Sequence, residues 1–262
     1  MKWLCETILQ NINSKTSAFK IYKMTKLSVN INKIATIRNA RGGELPSVTE
    51  AAIKLQEFGA QGITIHPRPD QRHITRKDVY ELKPLVHTEF NIEGNPHRPF
   101  IDMVLEVKPE QVTLVPDGED AITSNAGWDC EKHLGFLKNI IAEFKNAGIR
   151  TSIFLDPNPK MVKYAAETGA DRIELYTEAY ASNYSVDKEK AIKPYIETAI
   201  EAAKFNLGIN AGHDLSLENL KYFANNIPNL LEVSIGHALI SESLYMGMEN
   251  TVQAYLKRLA KW

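Results

Sequence analysis

The stretch FGAQGITIHPRPD, residues 58–70, contains the structural unit that decides the fold. It ends a helical pattern, passes through a glycine, continues as a short β-branched run and closes with a polar loop. A glycine after a helix satisfies the last helical carbonyls in a left-handed conformation at little steric cost. NAGIR, residues 146–150, and TGADR, residues 168–172, repeat the order of helix, cap and strand. The chain is therefore predicted to alternate helices with strands.

Eight strand-like segments follow Met24, and the helical patterns between them include Lys188–Phe205 and Leu239–Leu259. The predicted strands are Leu27–Ile31, Gly62–His66, Glu89–Glu93, Gln111–Val115, Arg150–Leu155, Asp171–Tyr176, Leu207–Asn210 and Leu231–Ile235. Eight such units match a (β/α)₈ barrel, for which about 250 residues is typical. We predict an α/β protein with a single TIM barrel over residues 24–262 and additional short helices. A doubly wound sheet is the alternative, but the segment after the first strand lacks the GxGxxG fingerprint.

Composition excludes several classes of protein. The 262 residues are 44% hydrophobic, which is enough for a full core. The formal net charge of −1 gives no overall field that would attract nucleic acid or an anionic membrane. The two cysteines, Cys5 and Cys130, have no metal-ligand or disulfide-scaffold spacing. No run approaches the roughly 18 apolar residues needed to cross a bilayer. We expect a cytoplasmic protein without nucleic-acid or membrane partners.

Residues 1–23 are predicted to form an N-terminal extension outside the barrel. Glu6, Asn11 and Lys15 interrupt the segment, so it makes a poor signal peptide. Met24 directly precedes the first strand, which fits an appendage or an upstream start codon. A helix docked on the barrel fits the residue pattern equally well.

Polar side chains stand at the downstream ends of the first three predicted strands. Asn30 and Asn32 alternate with apolar residues in the first, and His66 and Glu93 end the second and third. Alternate residues of a strand share one face, so these polar groups converge inside the barrel. Burying unpaired polar atoms costs roughly 1–3 kcal/mol each, which points to hydrogen bonding or chemistry. The carboxyl ends of barrel strands are where barrel enzymes build their active sites.

The loops after the last two strands are candidate phosphate sites. They read INAGHD, residues 209–214, and SIGHA, residues 234–238. Glycine amides and the helix that begins after His237 could hold a phosphate. Two glycine turns with surface histidines are the alternative interpretation.

The loop after the second strand is rich in cations. It contains His66, Arg68, Arg72 and His73, and a guanidinium can hold a phosphate bidentately. An ordinary salt-bridged loop remains the alternative.

Acid–base catalysis is the chemistry these residues favour. Glu93 could act as a general base if apolar walls raise its pKa, and His66 and His213 can carry protons. A satisfied buried carboxylate is the alternative for Glu93, and Glu174 and Tyr176 are expected to support the site. No HxH or HExxH spacing occurs among the histidines, so a metal site is the weaker interpretation.

Six ordered motifs together resemble the pyridoxine 5′-phosphate synthases of deoxyxylulose-dependent vitamin B6 biosynthesis. The resemblance runs from about Lys26 to the C-terminus, and its motifs are VNINKIATIRNARGG (29–43), GITIHPRPDQRHIT (62–75), FNIEGN (90–95), LVPDG (114–118), GINAGHD (208–214) and SIGHALI (234–240). It implies that 3-amino-2-oxopropyl phosphate and 1-deoxy-D-xylulose 5-phosphate condense to pyridoxine 5′-phosphate, phosphate and water, without metal or organic cofactor. It also implies a homo-oligomer, an octamer in the family.

The resemblance assigns roles to individual residues. His66 and Glu93 would accept protons and His213 would donate one. The implied ligand-binding positions are Asn30, Asn32, Lys33, Arg41, Arg68, His73, Thr123, Gly236 and His237. The chain departs from the common family pattern at two places. Asn32 and Lys33 replace an Asp-His pair, and Asp214 replaces a glycine. Asp214 remains a candidate for substrate contact.

Two other functions are compatible with these residues. Another phosphosugar isomerase or aldolase on a TIM barrel would share the anion sites and the Glu/His pair. A noncatalytic phosphometabolite-binding protein would keep the phosphate sites without turnover. Substrate turnover distinguishes all three.

Overall fold

Eight parallel strands close into a barrel in the computed structural model, which describes residues 24–117 and 126–260. They are β1 (Lys26–Asn30), β2 (Gly62–Ile65), β3 (Glu89–Gly94), β4 (Gln111–Leu114), β5 (Arg150–Leu155), β6 (Arg172–Tyr176), β7 (Gly208–Gly212) and β8 (Leu230–Ile235). Each strand pairs with the next in the chain, and β8 pairs with β1. The predicted TIM barrel is confirmed, and the doubly wound alternative is wrong because its sheet would be open. The predicted extension, residues 1–23, lies outside the described residues.

Ten helices surround the barrel in the part of the chain that is described. They are α1 (Asn32–Asn39), α2 (Val48–Glu57), α3 (Arg76–Leu82), α4 (Arg98–Val107), α5 (Leu134–Asn146), α6 (Pro159–Glu167), α7 (Glu178–Lys204), α8 (Leu220–Asn226), α9 (His237–Met246) and α10 (Met248–Leu259). None of the helices in these residues is long and apolar enough to span a membrane. The strands bury their outward side chains, such as Leu27 and Val29, completely beneath this layer.

The glycine caps adopt the backbone conformation that the sequence predicts. Gly59, Gly148 and Gly169 have φ values of 99°, 79° and 86°, each between a helix and the following strand. This left-handed region is open to glycine at no steric cost, which explains the repeated residue type.

The structure corrects two predicted helices. The single helix predicted over Leu239–Leu259 is two helices, α9 and α10, separated at Gly247 with φ 78°. The helix predicted from Lys188 begins ten residues earlier, at Glu178, and contains a kink at Asp187. The predicted start at Lys188 falls directly after the kink at Asp187, whereas apolar periodicity continues across Gly247, so periodicity alone could not place that second break.

The inner face of the barrel is polar, as the alternation of residues predicts. The hydroxyls of Ser28 and Thr64 lie 2.7 Å apart, and Asn91 donates to Thr64 at 3.4 Å. Thr113 in turn donates to Asn91 at 3.1 Å. These bonds satisfy the side chains of Ser28, Thr64 and Asn91, whereas the buried hydroxyl of Ser152, which pairs in register with Thr113, has no hydrogen-bond partner among the described residues.

A network of charged residues closes the amino-terminal end of the barrel interior. Arg172 lies 3.1 Å from Glu232, and Arg150 contacts Glu89. Although burial acts in the opposite direction, a hydrogen bond with Glu232 and the positive charges of Arg150 and Arg172 lower the pKa of Glu89 to about 2. Acid–base groups at this end are thus paired with one another, which leaves the opposite end for chemistry.

A buried ion pair fixes the loop between β2 and α3. Asp78 closes a capping box with Thr75 at the start of α3 and also receives two hydrogen bonds from Arg38 of α1, at 2.5 and 2.9 Å. Arg38 donates as well to the backbone oxygen of His73 at 3.2 Å. Arg38 therefore holds the cationic loop in place.

Candidate active site

A cavity of about 540 Å³ opens at the carboxyl ends of the strands. Its lining contains eleven of the thirteen residues that the sequence selected. These are Asn30, Asn32, Lys33, His66, Arg68, His73, Glu93, His213, Asp214, Gly236 and His237. Residues separated by more than 200 positions in the chain meet here because the strands are parallel and their carboxyl ends share one rim.

Two selected residues are not brought into the cavity. Arg41 is exposed beyond the end of α1 and does not line it. Thr123 lies outside the described residues.

Glu93 lines the cavity from the penultimate position of β3. Asn30 donates to one carboxyl oxygen at 3.4 Å, and Ser234 approaches the other at 3.5 Å. Burial, reinforced by the negative charge of Asp117, raises the pKa of Glu93 to about 8. A carboxyl group with this pKa can both give and take a proton near neutral pH, because neither form is strongly disfavoured there.

A second carboxyl group, Glu174 on β6, lines the same cavity and is 3% exposed. Burial, and then the charge of Glu93, hold its pKa well above the ordinary value. The Thr113 hydroxyl, whose proton is directed to Asn91, lies 3.4 Å from one oxygen of Glu174. The sequence indicated Glu174 only as a supporting residue, but its position makes it part of the cavity wall.

His66 follows β2 and is 6% exposed. Its backbone N–H donates to the side-chain oxygen of Asn32 at 2.9 Å, which ties the start of the second loop to the first. Burial, and then the positive charge of Arg68, lower the pKa of His66 well below its usual range. His66 is therefore neutral, the form that can accept a proton, although the lowered pKa makes it a weaker base than an exposed imidazole.

His73 lies near His66, with ring centroids 6.5 Å apart. Its Nδ1 accepts a hydrogen bond from the N–H of Ile74 at 2.9 Å, so the proton of the neutral ring is on Nε2. Burial, followed by the charge of Arg68, lowers the pKa of His73 to about 4. His73 is therefore a neutral hydrogen-bond donor at the cavity.

Cations lie along the cavity rim. Arg68 is buried and contacts Asp117 at 2.8 Å, whereas Lys33 is exposed. Arg72, which the sequence placed in the cationic loop, also lines the cavity and contacts Asp70 at 2.6 Å. All three cationic side chains line the cavity, and a guanidinium that is already paired with one carboxylate keeps further N–H groups that can bind a phosphate.

Sequence reasoning assigned no function to Asp117. It follows β4 within the LVPDG motif, contacts Arg68 and contributes to the raised pKa of Glu93. An acidic residue just after a barrel strand is the signal that could have identified it.

His213 follows β7 with a φ of 92°, a left-handed conformation that is rare for a non-glycine residue. Its Nδ1 lies 2.7 Å from a carboxyl oxygen of Asp214. The ring of Tyr176 packs edge-on against it with centroids 5.3 Å apart. Such backbone strain is characteristic of functional sites.

The two glycines of the candidate phosphate loops also have a packing role. A Cβ at Gly212 would lie 2.6 Å from Glu174 Oε1, and one at Gly236 would lie 3.0 Å from Asn30 Cβ. The barrel interior thus requires both glycines whether or not a ligand binds. Gly236 also directly precedes α9, whose first residue, His237, lies at the cavity.

Metal-ligating side chains are not grouped in this site. Across residues 24–117 and 126–260, no three His, Cys, Asp or Glu side chains are placed to hold a metal ion. Metal-independent activity stays a prediction, which a chelator can test.

The motifs around this cavity match a known family. The model of "Pyridoxal phosphate biosynthesis protein PdxJ" matches residues 27–261. The chain belongs to this family. Among its relatives, a protein of Christiangramia forsetii named pyridoxine 5′-phosphate synthase is 65% identical and aligns over 90% of this chain and all of the relative. One of Bacteroides thetaiotaomicron with the same name is 61% identical over 88% of this chain and 98% of its own length.

Similarity to solved structures extends to the fold alone. Phosphoribosylanthranilate isomerase of Thermotoga maritima aligns with a TM-score of 0.55 and 13% identity, covering 90% of this chain and 98% of that one. Thiamine phosphate pyrophosphorylase of Pyrococcus furiosus aligns with a TM-score of 0.57 and 13% identity, over 90% of this chain and 96% of that one. The family's motifs, rather than the barrel itself, distinguish this chain from these neighbours.

Proposed function

We propose that this protein is a pyridoxine 5′-phosphate synthase. It condenses 3-amino-2-oxopropyl phosphate with 1-deoxy-D-xylulose 5-phosphate and releases pyridoxine 5′-phosphate, phosphate and water. One observation carries the proposal: His66, Glu93 and His213 line one cavity, so that two imidazole rings and a carboxyl group with a pKa of about 8 face the same space. Membership of the family supports the same activity.

The reaction requires repeated proton transfer. The amine of one substrate joins the ketone of the other with loss of water, phosphate leaves from the far end of the deoxyxylulose chain, and ring closure is followed by further loss of water. Each step needs a base to remove a proton from carbon or nitrogen and an acid to protonate the leaving oxygen. We assign the acceptor roles to neutral His66 and ionised Glu93, and the donor role to His213. Glu93 exchanges its proton readily because its pKa is about 8.

Both substrates carry phosphate, and the cavity has two regions that suit anions. One is formed by the cations Lys33, Arg68 and Arg72, and the other by Gly236 and the start of α9 at His237. The helix dipole and exposed N–H groups stabilise an anion at the second region without a full charge. Asn30, Asn32 and His73 line the space between them and would hydrogen-bond substrate oxygens.

We further propose that the enzyme works in the cytoplasm without metal or organic cofactor and assembles as a homo-oligomer, an octamer by the family resemblance. Sedimentation analysis of the purified protein measures the assembly directly. A monomer at catalytic concentration would contradict that part of the proposal.

The first experiment is a mass-spectrometric assay of the purified protein with both substrates, run with and without a chelator. Glu93→Gln, which keeps the side-chain size and removes the acid, is assayed beside it. Pyridoxine 5′-phosphate formed by the native protein only, and unaffected by chelator, supports the proposal. Turnover of 1-deoxy-D-xylulose 5-phosphate alone would favour an isomerase or aldolase, and binding without turnover would favour a noncatalytic binding protein.

A further inference from the structure

The side chain of Asp214 contacts His213, its neighbour in the chain. Nδ1 of the histidine lies 2.7 Å from Oδ2 of the aspartate, within the range of a charge-assisted hydrogen bond. About one third of each side chain is exposed, 31% for His213 and 33% for Asp214. Both line the cavity. A carboxylate that holds one nitrogen of a histidine controls which nitrogen carries the proton.

Backbone contacts hold this segment without using the carboxylate. The Thr177 hydroxyl donates to the backbone oxygen of Gly212 at 2.6 Å and accepts from the N–H of Asp214 at 3.1 Å. The side chain of Asn219 donates to the backbone oxygen of Asp214 at 3.3 Å. Removal of the carboxylate therefore leaves the loop anchored, and the carboxylate's role can be tested separately from folding.

We propose that Asp214 is a positioning residue for His213 and not a substrate ligand. It accepts a hydrogen bond from Nδ1–H and fixes the tautomer in which Nε2 exchanges the proton with the substrate. The part of this inference that concerns turnover rests on the proposed function. The part that concerns the tautomer does not.

The pair would assist proton transfer in both directions. When Nε2 takes a proton the imidazole becomes positive, and the adjacent carboxylate stabilises that charge. When Nε2 returns the proton, the Nδ1–H bond keeps the ring from rotating away. Asp214→Asn can keep the tautomer, because an amide oxygen still accepts a hydrogen bond, but it removes the charge. Asp214→Ala removes both.

A double-mutant cycle separates positioning from substrate binding. We expect His213→Ala to lower kcat by about 10²–10⁴-fold, the usual range for a general acid or base. Asp214→Ala should lower kcat by about 10–100-fold with little change in KM, which is a typical loss for a residue that orients another. The kcat of Asp214→Asn should lie between that of Asp214→Ala and that of the native protein. The double variant should be no slower than His213→Ala, because Asp214 acts only through the histidine. A rise in KM for Asp214→Ala, or a further loss in the double variant, would show direct substrate contact.

The tautomer is measured by ¹⁵N NMR of the substrate-free protein in alkaline buffer. Native His213 should show a protonated Nδ1 and a bare Nε2, and Asp214→Ala should shift the proton to Nε2. Glu218→Gln is the matched control, since Glu218 is an exposed carboxylate in the same loop. A native protein with the proton on Nε2, or an unchanged tautomer in Asp214→Ala, would overturn the inference. A native protein with the expected tautomer but no synthase activity would refute the proposed function and leave the positioning intact.

Discussion

Glu93→Gln should remove most of the activity and at the same time stabilise the protein. Glutamine keeps the shape of the side chain but cannot ionise. In the native protein, burial and the charge of Asp117 raise the pKa of Glu93 from 4.5 to about 8. Since a general base must be ionised, kcat/KM of the native protein should rise with pH through about 8. Roughly one tenth of the sites are ionised at about pH 7 and nine tenths at about pH 9, which predicts a rise of about 9-fold.

The stability effect follows from the same raised pKa. Between pH 4.5 and about 8 the unfolded chain has lost the proton that the folded state retains, so native stability falls as pH rises. At about pH 7 this difference amounts to on the order of 3 kcal/mol, and Glu93→Gln removes it. The gain is an upper bound, because the amide group of glutamine replaces one of the two oxygens that accept from Asn30 and Ser234.

The assay combines pH-dependent kinetics with urea unfolding of the native protein, Glu93→Gln and the exposed control Glu189→Gln. The kcat/KM of Glu93→Gln should not rise with pH. Its free energy of unfolding should exceed that of the native protein, by an amount that grows between about pH 5 and pH 8. The control should match the native protein in both. A flat native pH profile over this range, or a Glu93→Gln variant less stable than native at every pH, would refute the reasoning.

Three further predictions concern the barrel and its appendage. Asp78→Asn should cost about 3–5 kcal/mol in unfolding free energy, because it leaves the buried Arg38 guanidinium without its charge partner. Glu81→Gln on the same helix is the control. An equal loss of stability in both variants would contradict this prediction. Gly212→Ala should lower the unfolding free energy by about 1–3 kcal/mol and reduce activity, because the added Cβ would lie 2.6 Å from Glu174 and 2.8 Å from the backbone of Ser234. An unchanged melting temperature and kcat would contradict this prediction. Deletion of residues 1–23 should leave kcat/KM within about 2-fold of the native value, since the barrel begins after them. A large fall in melting temperature on truncation would show that these residues are part of the folded core.

The local sequence determined the kind of elements, and in most cases their approximate limits. Glycine caps such as Gly148 and Gly169 must take positive φ, and period-two alternation assigns each strand residue to a face, so both signals are local. The first helix, α1, was missed because NKIATIRN has little apolar character and reads as a loop. The division at Gly247 was missed for the opposite reason, since apolar periodicity continues across it.

The sequence also selected most residues of the cavity, because a polar side chain at the end of an apolar strand is costly unless it is used. It could not determine how they interact. Glu93 interacts electrostatically with Asp117 because β3 pairs with β4, and with Glu174 because closure of the barrel brings β6 within range; desolvation and the charge of Asp117 raise the pKa of Glu93. The contact between His213 and Asp214 depends on a backbone conformation that residue type does not predict. Residue identity and spacing, which are local, therefore determined the barrel and its candidate groups, whereas their protonation and pairing depend on distances between strands that only the tertiary structure sets.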